Sequence, residues 1–233
     1  MTTNLQAPTA TTARKADTRT YWRVLLAVVA PLPLLGQGLS YALSTVDGGD
    51  DFATTVASMQ AHHGNAVVTG LLNILFVVLL IPATVALALT TRRRAPKLTA
   101  VGATICLLGF LSAFPLLPND NVMALVTGDK GLDVATVTAL DDAIWALPQV
   151  SLASLLFIVG IVIGLPILGV ALWRAKAAPV WMAVCLILGT LTHPFMPGHL
   201  AAGLGLLVGA VGFVGVSRAL LRTPNEAFDV AAL

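Results

Sequence analysis

The sequence predicts an all-α fold: a polytopic membrane helix bundle with six transmembrane helices and both termini in the cytoplasm. Three observations predict it. Of the 233 residues, 57% are apolar and only 10% charged, where soluble domains carry about 25% charged residues. Two long apolar runs, 66–91 and 98–118, bracket the loop Arg92-Arg93-Arg94-Ala95-Pro96-Lys97. About 20 residues at 1.5 Å rise cross a hydrocarbon core of about 30 Å, and short basic loops stay in the cytoplasm. Finally, the charges sort by side. Under six spans, Lys130 alone of the 13 cations falls outside, with Asp47, Asp50, Asp51, Asp120, Asp129, Asp133, Asp141 and Asp142.

Each element follows in order. Residues 1–21, rich in Thr and Ala and carrying Arg14, Lys15 and Arg19, read as a disordered cytoplasmic tail. The first span, 24–46, is too long for a signal-peptide core and is interrupted by Pro31, Pro33 and Gln37, so it reads as an uncleaved helix. Outside it, Asp50 or Asp51 can cap a short helix with Phe52, Val56, Met59 and His63 on one face. The spans 66–91 and 98–118 form the basic-tipped hairpin, ended by Pro118-Asn119-Asp120. Two short helices, over 122–126 and 132–140, flank Gly128-Asp129-Lys130-Gly131 in the longest outer loop. A fourth span, 147–173, starts at Pro148 and meets Pro166 in its lower half, and Arg174 and Lys176 return the chain inside. The fifth span, 178–193, is short. After the Pro194, Pro197 and Gly198 turn, the sixth covers 199–216, leaving 223–233 as a loose cytoplasmic tail.

A weak repeat relates the two hairpins. Pro82 and Pro166 each precede a basic turn, followed by Ala-Pro-x-x-x-Ala-Val at 95–101 and 178–184. With Ile81-Pro82-Ala83, Arg94-Ala95-Pro96, Gly102 and Leu107-Leu108-Gly109, the stretch from about 61 to 222 resembles a set of small multi-span membrane proteins common in high-GC Gram-positive bacteria. The resemblance implies a cell-envelope location and six spans. Its motifs are structural, and it brings no catalytic residue with it.

Several chemistries are disfavoured. The cations flank apolar spans instead of clustering on an accessible domain, so nucleic acid is not an expected partner. None of the six spans contains Asp, Glu, Lys or Arg, which lowers the case for ion-coupled transport. Cys106 and Cys185 sit in apolar runs with no metal or redox spacing, and no cofactor motif is present. His62, His63, His193 and His199 all map to the outer boundary, as interfacial anchors, metal ligands or proton-transfer groups. The spacing of His193 and His199 suits no helical ligand pair, so no metal is expected.

The remaining signal is the uncharged polar side chains in the outer halves of the spans. Gln37, Tyr41, Asn73, Gln149 and Ser151, with His193, either bond between helices or ring a pocket open to the outside. A pocket points to a lipophilic small molecule or lipid drawn from the bilayer, in transport, resistance or envelope upkeep. The alternative is an intramembrane enzyme acting on a lipid or isoprenoid, with Asp141, Asp142, His63 and His193 as acid–base groups at the rim. A subunit of a larger complex is the third reading. Gly160-x3-Gly164 and the series Ala201, Gly205, Gly209 are small-residue faces expected to pack the fourth and sixth helices inside one bundle.

Overall fold

Proline punctuates the start of the bundle. The computed structural model describes residues 17–47, 49–117 and 120–228, and every regular element within them is helical. α1 (Arg19–Val29) and α2 (Leu32–Leu43) form the first crossing run. They are two helices where one was expected over 24–46. Pro31 has no N–H to give and serves as the N-cap of α2. α3 (Phe52–Ala61) is capped by Asp51, whose carboxylate accepts the Thr54 N–H at 2.7 Å. His62 breaks the chain at φ −124°, and α4 (His63–Thr91) follows. Thus His63 belongs to α4 and not to the face of α3. α4 carries Pro82 through its interior without interruption.

α5 (Pro96–Ser112) ends in a 3-10 turn at Phe114–Leu116. The expected stop at Pro118-Asn119 lies outside the described residues, as do 1–16 and 229–233. α6 (Asp120–Lys130) and α7 (Val134–Trp145) occupy the long loop. α6 reaches Lys130, so Gly131 alone makes the turn, at φ +62°. α8 (Pro148–Val159) leads through a π-helical turn at Gly160–Gly164 into α9 (Leu165–Arg174). There the Leu165 N–H donates to the Gly160 carbonyl, five residues back. Pro166 can donate to nothing, and the wide turn absorbs its ring without ending the helix. α10 (Val180–Phe195) and α11 (His199–Arg222) close the bundle.

Five stretches are long and apolar enough to cross a membrane: Arg19–Leu43, His63–Thr91, Pro96–Lys130, Pro148–Arg174 and His199–Arg222. α10, with 16 residues between Pro179 and the Pro197-Gly198 turn, is apolar but shorter.

The helices pack as an up-and-down ring in chain order. α2 lies between α4 and α11, α4 meets α5, α5 meets α8 and α9, α9 meets α10, and α10 meets α11. Phe76, Leu80, Leu87, Leu165, Leu168, Leu206 and Phe213 fill the centre. One end of the ring is basic. There an Arg23 guanidinium N–H donates to the Thr223 carbonyl, and Arg94 to the Ala175 carbonyl at 3.1 Å. Residues 223–228, expected as the start of a loose tail, dock at this end. Asn225 donates to the Thr20 hydroxyl at 2.7 Å, and Phe228 is only 4% exposed. The other end is acidic and carries a cap. α3, α6 and α7 gather there over a small core of Val56, Met59, Ala66 and Ala124.

Glycine sets the closest approaches. On α11, Gly205 faces Thr192 and Gly212 faces Leu186, and Gly189 of α10 lies against the Gly209 backbone, so Gly189, Gly205 and Gly212 have no room for a Cβ. Ala201 is exposed and takes no part. Gly160 abuts Gly109 and Phe110 of α5, and Gly164 abuts Cys106. Gly160 and Gly164 therefore pack against α5, and the glycines of α11 against α10 and, through Gly203, against α2.

Candidate functional site

The site lies at the acidic end of the ring, under the cap. On α2, Gln37 and Tyr41 stand one turn apart and point the same way; on α4, Asn73, Phe76 and Val77 do likewise. α8 contributes Ser154, Phe157 and Ile158, the π turn Ile161, α7 its last residue Trp145, and α10 His193. These side chains enclose a cavity of about 360 Å³. A second cavity of about 300 Å³ lies between α2, α4 and the cap, with Ser40, Asn65, Thr69 and His199 in its wall. Gln37, Tyr41, Asn73 and Leu117 border both, so the two chambers meet at one polar waist.

An aromatic chain runs down one side. Tyr41 stacks on His199 at 4.5 Å between centroids and meets His193 edge-on at 5.4 Å. His193 meets Phe76 at 6.5 Å, and Phe76 and Phe110 both lie 6.2 Å from Phe157. His199 is held from outside this chain. Its Nδ1 lies 2.8 Å from the Val46 carbonyl, and its backbone N–H donates to Asp47 at 2.8 Å. Donation from Nδ1 leaves Nε2 as the acceptor of a neutral ring.

Most polar side chains of the spans are already satisfied. Ser40 donates to the Thr69 carbonyl at 3.1 Å, Ser112 to the Ala153 carbonyl at 2.8 Å, and Thr190 to the Leu186 carbonyl at 2.9 Å. Ordinary helix-to-helix and within-helix bonding accounts for them. Gln37 differs. It is 4% exposed, its amide neighbours the Tyr41 hydroxyl, and its Oε1 has no partner. Leaving a buried polar atom unpaired costs about 1–3 kcal/mol. Such an atom in a cavity wall marks where a donor from outside the chain would gain most. No family model, curated protein or solved structure matches this chain. The reading of the site therefore rests on its own geometry.

That geometry brings Gln37, Tyr41, Asn73 and His193 to one cavity and leaves Gln149 and Ser151 out. Gln149 is exposed. It sits roughly 140° around the helix from Ser154, which does reach the cavity. Ser151 shares that face but is a turn nearer the helix start, where its hydroxyl lies 3.4 Å from the Trp145 carbonyl. Asp141 and Asp142 lie inside α7 and line neither chamber. The residue that caps α7 is Asp133, and Leu147 stands at the N-cap of α8. His63 pairs with Asp129 at 3.2 Å on the exposed cap, and His62 bonds back to the Ser58 carbonyl at 3.1 Å. Among the described residues, no group of three His, Cys, Asp or Glu side chains is placed to hold a metal ion.

Sequence reasoning missed Ser154 and Trp145 as lining residues, along with the apolar floor of Phe76, Phe157 and Ile161. The signal for Ser154 was available, since it is a hydroxyl at the same depth as Asn73. Phe76 and Phe157 look like any other bundle aromatics.

Proposed function

We propose that this chain is a six-span protein of the cell membrane that takes a lipophilic small molecule or lipid into a chamber at its extracytoplasmic end. In this reading α10 serves as a short sixth span, and the basic end, with both termini, faces the cytoplasm. The sorting of Arg92, Arg93, Arg94, Lys97, Arg174 and Lys176 to one end supports the orientation. The resemblance to small envelope proteins supports the location. The observation that carries the binding role is the orphaned Gln37 Oε1 in the wall of an otherwise largely apolar cavity. Pockets for small molecules run from about 300 to 1,000 Å³, mostly apolar with a few placed polar groups. Among the described residues no carboxylate stands in either chamber wall, so a lipid-processing enzyme working through Asp141 and Asp142 would have neither of them at the cavity.

Two measurements test the proposal. In a cysteine-free chain, Asp133→Cys should react with an impermeant maleimide on intact cells, and Lys97→Cys only after permeabilisation. The reverse pattern would sink the orientation. In a chain whose sole tryptophan is Trp145, bromododecane should quench fluorescence saturably, and Ser154→Trp in the four-tryptophan chain should block uptake of the same alkane. Non-saturable quenching that ignores the cavity substitutions would sink the binding role.

A further inference from the structure

We infer that the two chambers together select a neutral amphiphile: a head group carrying a hydroxyl or amide N–H at the Gln37–Tyr41–Asn73 waist, and a single aliphatic or isoprenoid tail in the larger chamber. The inference rests on the lipophile-binding reading above and specifies its substrate class. Three features carry it. The first is the unmet acceptor. Gln37 is nearly fully buried with Oε1 unpartnered, and the half-buried Asn73 borders the same two chambers. A donor placed between them gains a bond that no side chain of the protein supplies.

The second feature is the absence of charge. Among the described residues no Asp, Glu, Lys or Arg lines either chamber, and the His199 Nδ1 is already committed to the Val46 carbonyl. A phosphate or carboxylate brought to the waist would be buried without a counter-ion, which is far costlier than burying a hydroxyl. The third feature is the shape below the waist. Phe76, Phe157, Ile158 and Ile161 give the larger chamber an apolar floor. α8 makes its close backbone packing with α5 and the 3-10 turn, while α10 packs closely with the fourth span only at the π turn and α9. Above the π turn, Ile158 and Pro194 are exposed. The tail therefore has a side exit between α8 and α10, past Ile158 and Pro194.

The test uses the Trp145-only chain (Trp22→Phe, Trp173→Phe, Trp181→Phe) in phosphatidylcholine nanodiscs at about pH 8, where histidine is neutral and a carboxylate is charged. Three probes share one tail and differ at the head: bromododecane, bromododecanol and bromododecanoate. The alcohol should quench Trp145 saturably, with relief by excess dodecanol, at a midpoint about tenfold below those of the alkane and the carboxylate. Gln37→Leu should raise the alcohol's midpoint to that of the alkane and leave the alkane unchanged, with Asn73→Leu as the second variant should the first fail to fold. Equal midpoints for alcohol and carboxylate, or an alcohol midpoint indifferent to both substitutions, overturn the head-group assignment while lipophile binding stands. Absence of saturable quenching by all three probes overturns the binding role itself.

Discussion

The α10–α11 seam and the α8 arm are built from similar aliphatic sequence yet behave as opposites. Along the seam, Gly189, Gly205, Gly209 and Gly212 bring two backbones into direct contact, and nothing fits between them. Along α8, Leu, Ile and Ser occupy the corresponding faces, and the arm leans on α5 while a cavity opens on its other side. In a lipid-like setting burial of apolar surface does little to choose between these outcomes, because hydrocarbon is as apolar as leucine. What chooses is side-chain volume at the contact. Rigidity along the seam is thus written in glycines, while the chamber opens on the face of α8 turned away from α5.

The largest effect is expected from breaking the seam. Gly189→Leu drives a side chain into the Gly209 backbone, which cannot yield as a rotamer can. We expect a loss of about 3 kcal/mol, at the upper end for overpacking, read as a lower thermal midpoint and poor accumulation. On the arm, Ser154→Trp should behave differently, filling the chamber and abolishing uptake while the thermal midpoint stays within a few degrees. Leu155→Ala, at a position 57% exposed on the arm, should change stability by less than about 0.5 kcal/mol. A drop as large as that of Gly189→Leu would erase the distinction between the two regions.

The smallest effect concerns the cap. The Asp51 carboxyl is held below the usual carboxylate value, first by the Thr54 N–H; the Asp133 carboxyl is held down first by the Thr136 hydroxyl and then by its N–H. A depressed folded-state value means that this stabilisation is present above the unfolded value of about 4 and fades as pH falls through the folded one. Amide exchange in α3 and α7, corrected for its intrinsic pH dependence, should therefore accelerate on acidification below about pH 4, and the α10–α11 seam should not respond. Equal acceleration in both would mean that the cap and seam open together.

Depth was legible in the sequence, and rotation was not. Counting from the basic loops along a helix of fixed rise puts Gln37, Asn73, Ser154 and Gln149 in the outer halves of their stretches, with Asn73 and Ser154 at nearly one height, Gln37 lower and Gln149 higher by more than a turn. The structure turns the first three inward and leaves Gln149 exposed. Rotation eludes sequence reading here because residues facing outward are as apolar as those facing inward, so the periodicity that orients a soluble helix is missing. The basic cluster and one cap suffered no such loss, although the cap of α7, Asp133, was not foreseen. The Arg92–Lys97 loop and the Asp51 cap stand where their chemistry puts them. Proline gave a mixed signal. Pro31 divides a helix, Pro82 leaves one assigned without interruption, and Pro166 is accommodated by a π turn, so the neighbours and not the residue decide.

That π turn has a consequence for how the fourth span is clocked. Gly160–Gly164 spends one residue more than a regular turn would, so the part of the helix above it is wound about 100° out of step with the part below. Leu165, Leu168 and Leu172 lock the lower part into the core, which leaves the upper part to carry the whole rotation. Deleting Val162 alone would restore a regular winding and swing Ser154 and Phe157 away from Gln37, emptying one wall of the chamber although only one of its lining side chains, Val162 itself, is removed.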